Sequence, residues 1–228
     1  MLIAPARQVH SSTADVFSQL RETVQALEGA RRFARTISVC DAIDEALPGG
    51  GLPLGCVHEV KGSPANAIAF AGLLSARIPG KGAVLYIEPA RSLYPLGLLP
   101  YDVALQHWIH VRARRQKDLV WSVLEALRCP HINAVLAVMQ SADLTFSRRL
   151  QLAAESSGAT GFLFGNAASA ITRWRVSPVR NSIWSVDLVY CRGGRPGTWQ
   201  FTWQDGALEL ATRPMQRELI VETAALAG

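Results

Sequence analysis

"HEVKGSPANAIAFAGLLSARI", residues 58–78, is the stretch whose reading decides the fold. A short apolar strand pattern runs into the Gly-Ser-Pro of residues 62–64, and a small-residue helical pattern follows at once. Strand, turn and helix in this order is where many α/β proteins cradle phosphate. A working cradle reads G-x-x-x-x-G-K-[ST]: glycine lets backbone N–H groups curl around phosphate oxygens, lysine neutralises the phosphates, and the hydroxyl holds magnesium. The eight positions here are Gly62, Ser63, Pro64, Ala65, Asn66, Ala67, Ile68 and Ala69. Ile68 stands at the lysine position and Ala69 at the magnesium position, so the scaffold of the loop remains while its polar contacts are gone. Ala65, Ala67, Ala69 and Ala71 suit close packing of the helix. The apolar Ile68 implies that protein fills the space a phosphate would take.

Beyond this segment, apolar runs alternate with helical patterns: "AVLYIE", "WIHVR", a helix around "DLVWSVLEAL", "INAVLAV", a helix around "SRRLQLAAESS", and "TGFLF". Such alternation with short loops predicts crossovers on a mostly parallel sheet flanked by helices. Leu119, Val120, Val123, Leu124 and Leu127 form a buried stripe on one of the helices. After about residue 171 the pattern turns β-rich and aromatic, which predicts an antiparallel extension of the sheet. There "CRGGRPG" marks a hairpin turn. Trp199, Phe201 and Trp203 share one face of a strand, with Trp174 and Trp184 on its neighbours, and the reading favours packing against a helix over an exposed partner site. Upstream, Val16, Phe17, Leu20, Val24 and Leu27 predict an amphipathic N-terminal helix that ends at Gly29. Residues 214–227 predict a short terminal helix. A single domain is expected over 1–228: a lead-in (1–48), an α/β core (49–170), and antiparallel strands with a terminal helix (171–228).

The chain has 228 residues, 49% of them hydrophobic and 18% charged, which excludes a disordered protein and supports a single sizeable core. No apolar run approaches the roughly 20 residues of a membrane span, and the N-terminus lacks a secretory pattern, so the expected location is the cytoplasm. The four cysteines, Cys40, Cys56, Cys129 and Cys191, form no C-x-x-C pair and predict neither zinc nor a disulfide framework. His107 and His110 would face opposite sides of an extended segment and read as strand-edge histidines. The net charge of +5 permits contact with nucleic acid or an acidic protein without giving a dense basic footprint. No cofactor is expected.

The lead-in and core, "ISVCDAIDEALPGGGLPLGCVHEVKG" and "VLYIEPARSLYPLGL", resemble the core of RecA-family recombinases. The resemblance places Glu88 at that family's acidic strand end, Ala90 where its catalytic Glu would sit, and Val138 where a magnesium-orienting Asp would end a strand. It therefore implies a RecA-like fold and a degenerate ATPase. Only "GNAASA" follows "TGFLF", where the family's second DNA-contacting loop would lie. A narrower resemblance spans nearly the whole chain: "DAIDEALPGGGLPLG", the loop without lysine, "LTFSRRLQLAAESSGATGFLF" and "CRGGRPGTW" are similar to ImuA, a family of RecA-like SOS mutagenesis accessory proteins related to SulA. It implies a non-catalytic scaffold in translesion DNA synthesis, with an ImuB-type Y-family polymerase relative and an error-prone C-family DNA polymerase as partners and RecA as a further candidate.

Candidate partner-binding residues are Arg148 and Arg149 at a helix start, where the dipole does not favour them; Arg192 and Arg195 beside the hairpin glycines; and Met215, Leu219 and Ile220 near the C-terminus. Three alternatives stay open. One is a SulA-like cell division inhibitor, which the long lead-in and extended β-rich ending disfavour. Another is an ATPase with displaced residues that uses Lys61 or Lys81 on phosphate. The third is a simple DNA binder.

Overall fold

The structure is a computed structural model and describes residues 35–180, 183–204 and 207–211. The N-terminal helix expected before Gly29 and the terminal helix carrying Met215, Leu219 and Ile220 lie outside the described residues.

The polypeptide enters through β1 (Thr36–Ile37), a single turn α1 (Asp41–Asp44) and β2 (Leu52–Pro53), with β1 and β2 paired antiparallel. The main sheet follows: β3 (Val57–Gly62), α2 (Pro64–Ala76), β4 (Ala83–Glu88), β5 (Trp108–Arg112), α3 (Gln116–Arg128), β6 (Ile132–Ala142), α4 (Leu144–Ser157) and β7 (Thr160–Ala167). It ends with β8 (Thr172–Pro178), β9 (Ile183–Cys191), β10 (Gly197–Gln204) and β11 (Ala207–Leu210). Nine strands lie in the order β11-β10-β9-β8-β3-β7-β6-β4-β5. Every pairing from β5 across to β8 is parallel, and those of β9, β10 and β11 are antiparallel. The expected α/β fold is thus observed, with one correction. Antiparallel pairing starts at β9, because β8 is parallel to β3, which lies between β7 and β8.

Strands covered on both faces read as continuous apolar runs, which is why Ala134–Ala137 of β6 are all buried. One face of the sheet packs on α2, whose residues 67–75 are all buried. A helix apolar on every side belongs in the interior, not on a surface. Phe70 of α2 and Trp174 of β8 meet with ring centroids 5.5 Å apart. Burying each such side chain contributes about 2 kcal/mol. Phe201 is buried in this same core and Trp199 and Trp203 pack on it, with Trp203 Nε1 donating to Pro100 O at 2.5 Å. The aromatic stripe of β10 therefore faces inward, as the period of two implies.

The other face carries α3 and α4, which pack side by side over Val135, Ala137 and Leu163. In α4 the Asp143 side chain caps the helix by accepting from Phe146 N at 2.7 Å, and Gly158 ends it in the left-handed conformation. Among the described residues no helix is long and apolar enough to cross a membrane.

Candidate functional site

The turn from β3 into α2 is short and flanked by β8. β3 ends at Gly62 and α2 begins at Pro64, so Ser63 is the entire connection. A phosphate cradle needs several consecutive N–H groups curving around an anion. Here Pro64 has no N–H to offer, and Ser63 Oγ donates to Asn66 Oδ1 at 2.5 Å. Gly62 has φ +141, and a Cβ there would lie 1.8 Å from Val176 O of β8, so β8 occupies the flank of the turn.

An open cleft of about 600 Å³ lies beside this turn. Its walls are Ser63, Pro64, Ala65, Asn66, Ile68 and Ala69 of the turn and α2, Ser92, Leu93 and Tyr94 after β4, Gly97, Leu98 and Tyr101 of the 3₁₀ segment, and Trp184 of β9. The expectation that protein fills this space is therefore corrected. Ile68 is packed into the core from one side and forms cleft wall on the other, while the 3₁₀ segment Pro95–Tyr101 packs on α2 through Leu98 and supplies the far wall with Gly97 and Tyr101. None of the lining residues carries a charge. A site without a cation has nothing to neutralise a polyphosphate, whereas its apolar and aromatic lining suits an apolar group.

Glu88, at the end of β4, anchors the chain that forms one cleft wall. It is fully buried and accepts from Ser92 N at 3.0 Å, from Ser92 Oγ, and from His110 Nε2 of β5 at 2.6 Å. Burial pushes its carboxyl up, but the bonds from Ser92 and the neighbouring His110 together hold it below its usual value. The strand-edge reading of His110 thus gains a partner that the sequence did not reveal. Ala90, at the place where the resemblance would put a catalytic acid, is an exposed residue of the following bend.

The two lysines considered as displaced phosphate ligands are engaged or distant. Lys61 Nζ donates to Asn166 Oδ1 at 2.6 Å and pairs with Glu59 Oε1 at 2.9 Å. Glu59 shares the α4-side face with Val57, opposite α2, and it also accepts from Ala167 N at 2.7 Å and lies 3.7 Å from Arg173 Nε. This buried carboxylate clamps the short crossing from β7 to β8. Lys81 precedes β4 and so lies at the amino end of the parallel strands, away from the turn. Val138 does not end its strand, since β6 continues to Ala142; it is half-buried against the α2-side core.

The opposite alternation of β3 buries His58. Trp174 Nε1, which can only donate, gives its hydrogen to Thr172 Oγ1 at 2.6 Å; Thr172 lies 2.7 Å from His58 Nδ1, and His58 Nε2 lies 2.9 Å from Pro53 O. The carbonyl requires a donor, so His58 is the Nε2–H tautomer and accepts from Thr172 at Nδ1. Complete burial pushes its pKa down to about 4.

Arg148 and Arg149 do not stand at the helix start. The cap is Asp143, and both arginines lie in the second turn, exposed, beyond the reach of the terminal dipole. The hairpin that carries Arg192 and Arg195 is seated against the rest of the fold through its backbone, with Arg195 exposed. Arg192 N donates to Ile171 O at 2.9 Å, Arg195 N to Ala46 O at 2.8 Å, and Arg195 Nη2 to Glu45 O at 3.4 Å. Gly194 permits this seating, since a Cβ there would lie 2.6 Å from Ala46 O. The fold therefore separates the two arginine pairs, one on α4 and one against the lead-in. Sequence reasoning passed over Trp121, which is 65% exposed on α3. The signal was present, because Trp121 falls outside that helix's own apolar stripe.

No family model matches the chain. Two curated relatives do, each named "Protein ImuA", from two strains of Caulobacter vibrioides. Each is 33% identical over 192 residues, covering 69% of this chain and 79% of the relative. The strand-turn-helix on which the resemblance turned is retained, and with that degree of identity over most of both proteins the chain belongs to the ImuA family.

Proposed function

We propose that this chain is a non-catalytic, RecA-like accessory protein of SOS-induced translesion DNA synthesis, built as a single domain and working in the cytoplasm. It acts as a scaffold, through contacts with an ImuB-type Y-family polymerase relative and an error-prone C-family DNA polymerase, with RecA as a further candidate partner. Family membership supports the SOS mutagenesis role. One observation carries the non-catalytic reading: a one-residue connection opens on a cleft with no charged lining residue. Nucleotide hydrolysis needs a cation and a water-orienting acid, and neither stands where the resemblance would place it.

Two experiments test this reading. In pull-downs, the tagged full-length chain retains the polymerase partners encoded in the same genome. Retention of the tubulin-like division protein instead would make it a division inhibitor. In calorimetry, ATP with magnesium gives no binding heat at micromolar ATP, and micromolar affinity would overturn the degenerate-ATPase reading. A DNA-binding role would appear as affinity for duplex or single strands that falls steeply with salt.

A further inference from the structure

We infer that the outward face of the α3–α4 pair is a docking surface for an acidic, apolar-rich segment of a partner protein. This deepens the accessory reading by naming one surface and the chemistry it takes. The two helices pack beside each other, and their inward residues fill the core under the sheet. Their outward residues are not the polar set that water favours. Trp121 on α3 is 65% exposed, and Leu144 and Leu152 on α4 are 51% and 64% exposed. Leu144, Arg148 and Leu152 follow one another at i, i+4 and i+8, and Lys117 and Trp121 at i and i+4, so each helix shows an apolar and basic stripe.

The charges on this face select the partner. Its acids each have a partner among the described residues: Asp118 pairs with Arg115, Glu125 with Arg128, Asp143 Oδ1 accepts from Phe146 N, and Glu155 Oε1 accepts from Gln151 Nε2. Lys117, Arg148 and Arg149 form no ion pair with another described residue. Lys117 also sits in the first turn of α3, where the helix dipole repels it. Basic side chains one helical turn from exposed tryptophan and leucine are complementary to carboxylates interspersed with large apolar side chains. Nucleic acid fits less well. Phosphates would satisfy the cations and Trp121 would take one base, but Leu144 and Leu152 offer no flat surface for the successive stacking that holds a strand.

The test is selection of a random 12-residue peptide display library on the immobilised full-length chain, followed by binding of the best peptide to wild type, Trp121→Ser and the double variant Arg148→Glu with Arg149→Glu. The expected pool is acidic and carries two or more Leu, Phe or Trp. Each variant should bind its best peptide at least tenfold more weakly while its melting temperature stays unchanged. Failure to enrich, a basic pool, or equal affinity in the variants would overturn the inference. So would displacement of the peptide by micromolar fluorescent dT25 whose own binding is lost in the same variants, since that would make the face a nucleic-acid surface. Peptide binding without capture of a polymerase partner would refute the accessory reading alone.

Discussion

The buried His58 makes the stability of this protein fall in mild acid, and the size of the effect follows from its surroundings. Its ring is wholly buried and neutral, held between Thr172 Oγ1 and Pro53 O. Folding lowers its pKa from 6.5 to about 4. Between these values the unfolded chain takes up a proton that the folded chain refuses, so stability is complete above pH 6.5 and falls as pH drops towards 4. At pH 5 the unfolded state is favoured about thirtyfold more than at pH 8, a loss of about 2 kcal/mol. The assay is urea unfolding of wild type and His58→Gln at pH 8 and pH 5. The variant is less stable at pH 8, by about 1–3 kcal/mol, because Thr172 and Pro53 lose their fitted partner. Its additional loss on going to pH 5 should be about 2 kcal/mol smaller than that of wild type, since every other titrating group is common to both. Equal pH 8 to pH 5 losses in the two proteins would refute the reasoning. So would ring-nitrogen NMR showing a charged His58 at pH 5.

Gly62→Ala should destabilise by about 3 kcal/mol, lowering the melting temperature by about 10 °C, because the new Cβ meets Val176 O at a backbone angle alanine avoids. Ile68→Lys, the substitution that would restore the missing cation, should cost about 3 kcal/mol in urea unfolding and yield no ATP hydrolysis in a phosphate-release assay. Ile68 is packed in the core, and the single-residue connection stays too short to cradle phosphate. Glu59→Ala should cost about 3 kcal/mol and speed hydrogen exchange at the Ala167 amide. It removes that amide's acceptor and leaves Lys61 and Arg173 without their carboxylate.

What the sequence determined by itself is the class of fold and the departure from the phosphate-loop motif. Period-two and period-3.6 apolar patterns are local, so "AVLYIE", "WIHVR" and the stripe Leu119–Leu127 were legible without any partner, as was the absence of Lys and Ser/Thr at Ile68 and Ala69. In "HEVKG" the alternation already sent His58 and Glu59 to opposite faces of one strand. What surrounds them was decided 108 to 114 residues later in the chain, where Thr172, Ala167 and Arg173 arrive. The same holds for the pairing of Glu88 with His110, for β8 lying parallel to β3, and for the cleft walled by α2, the 3₁₀ segment and Trp184. Each depends on which strands become neighbours. Strand order is fixed by long-range burial of two helical layers on one sheet, and no local pattern encodes it.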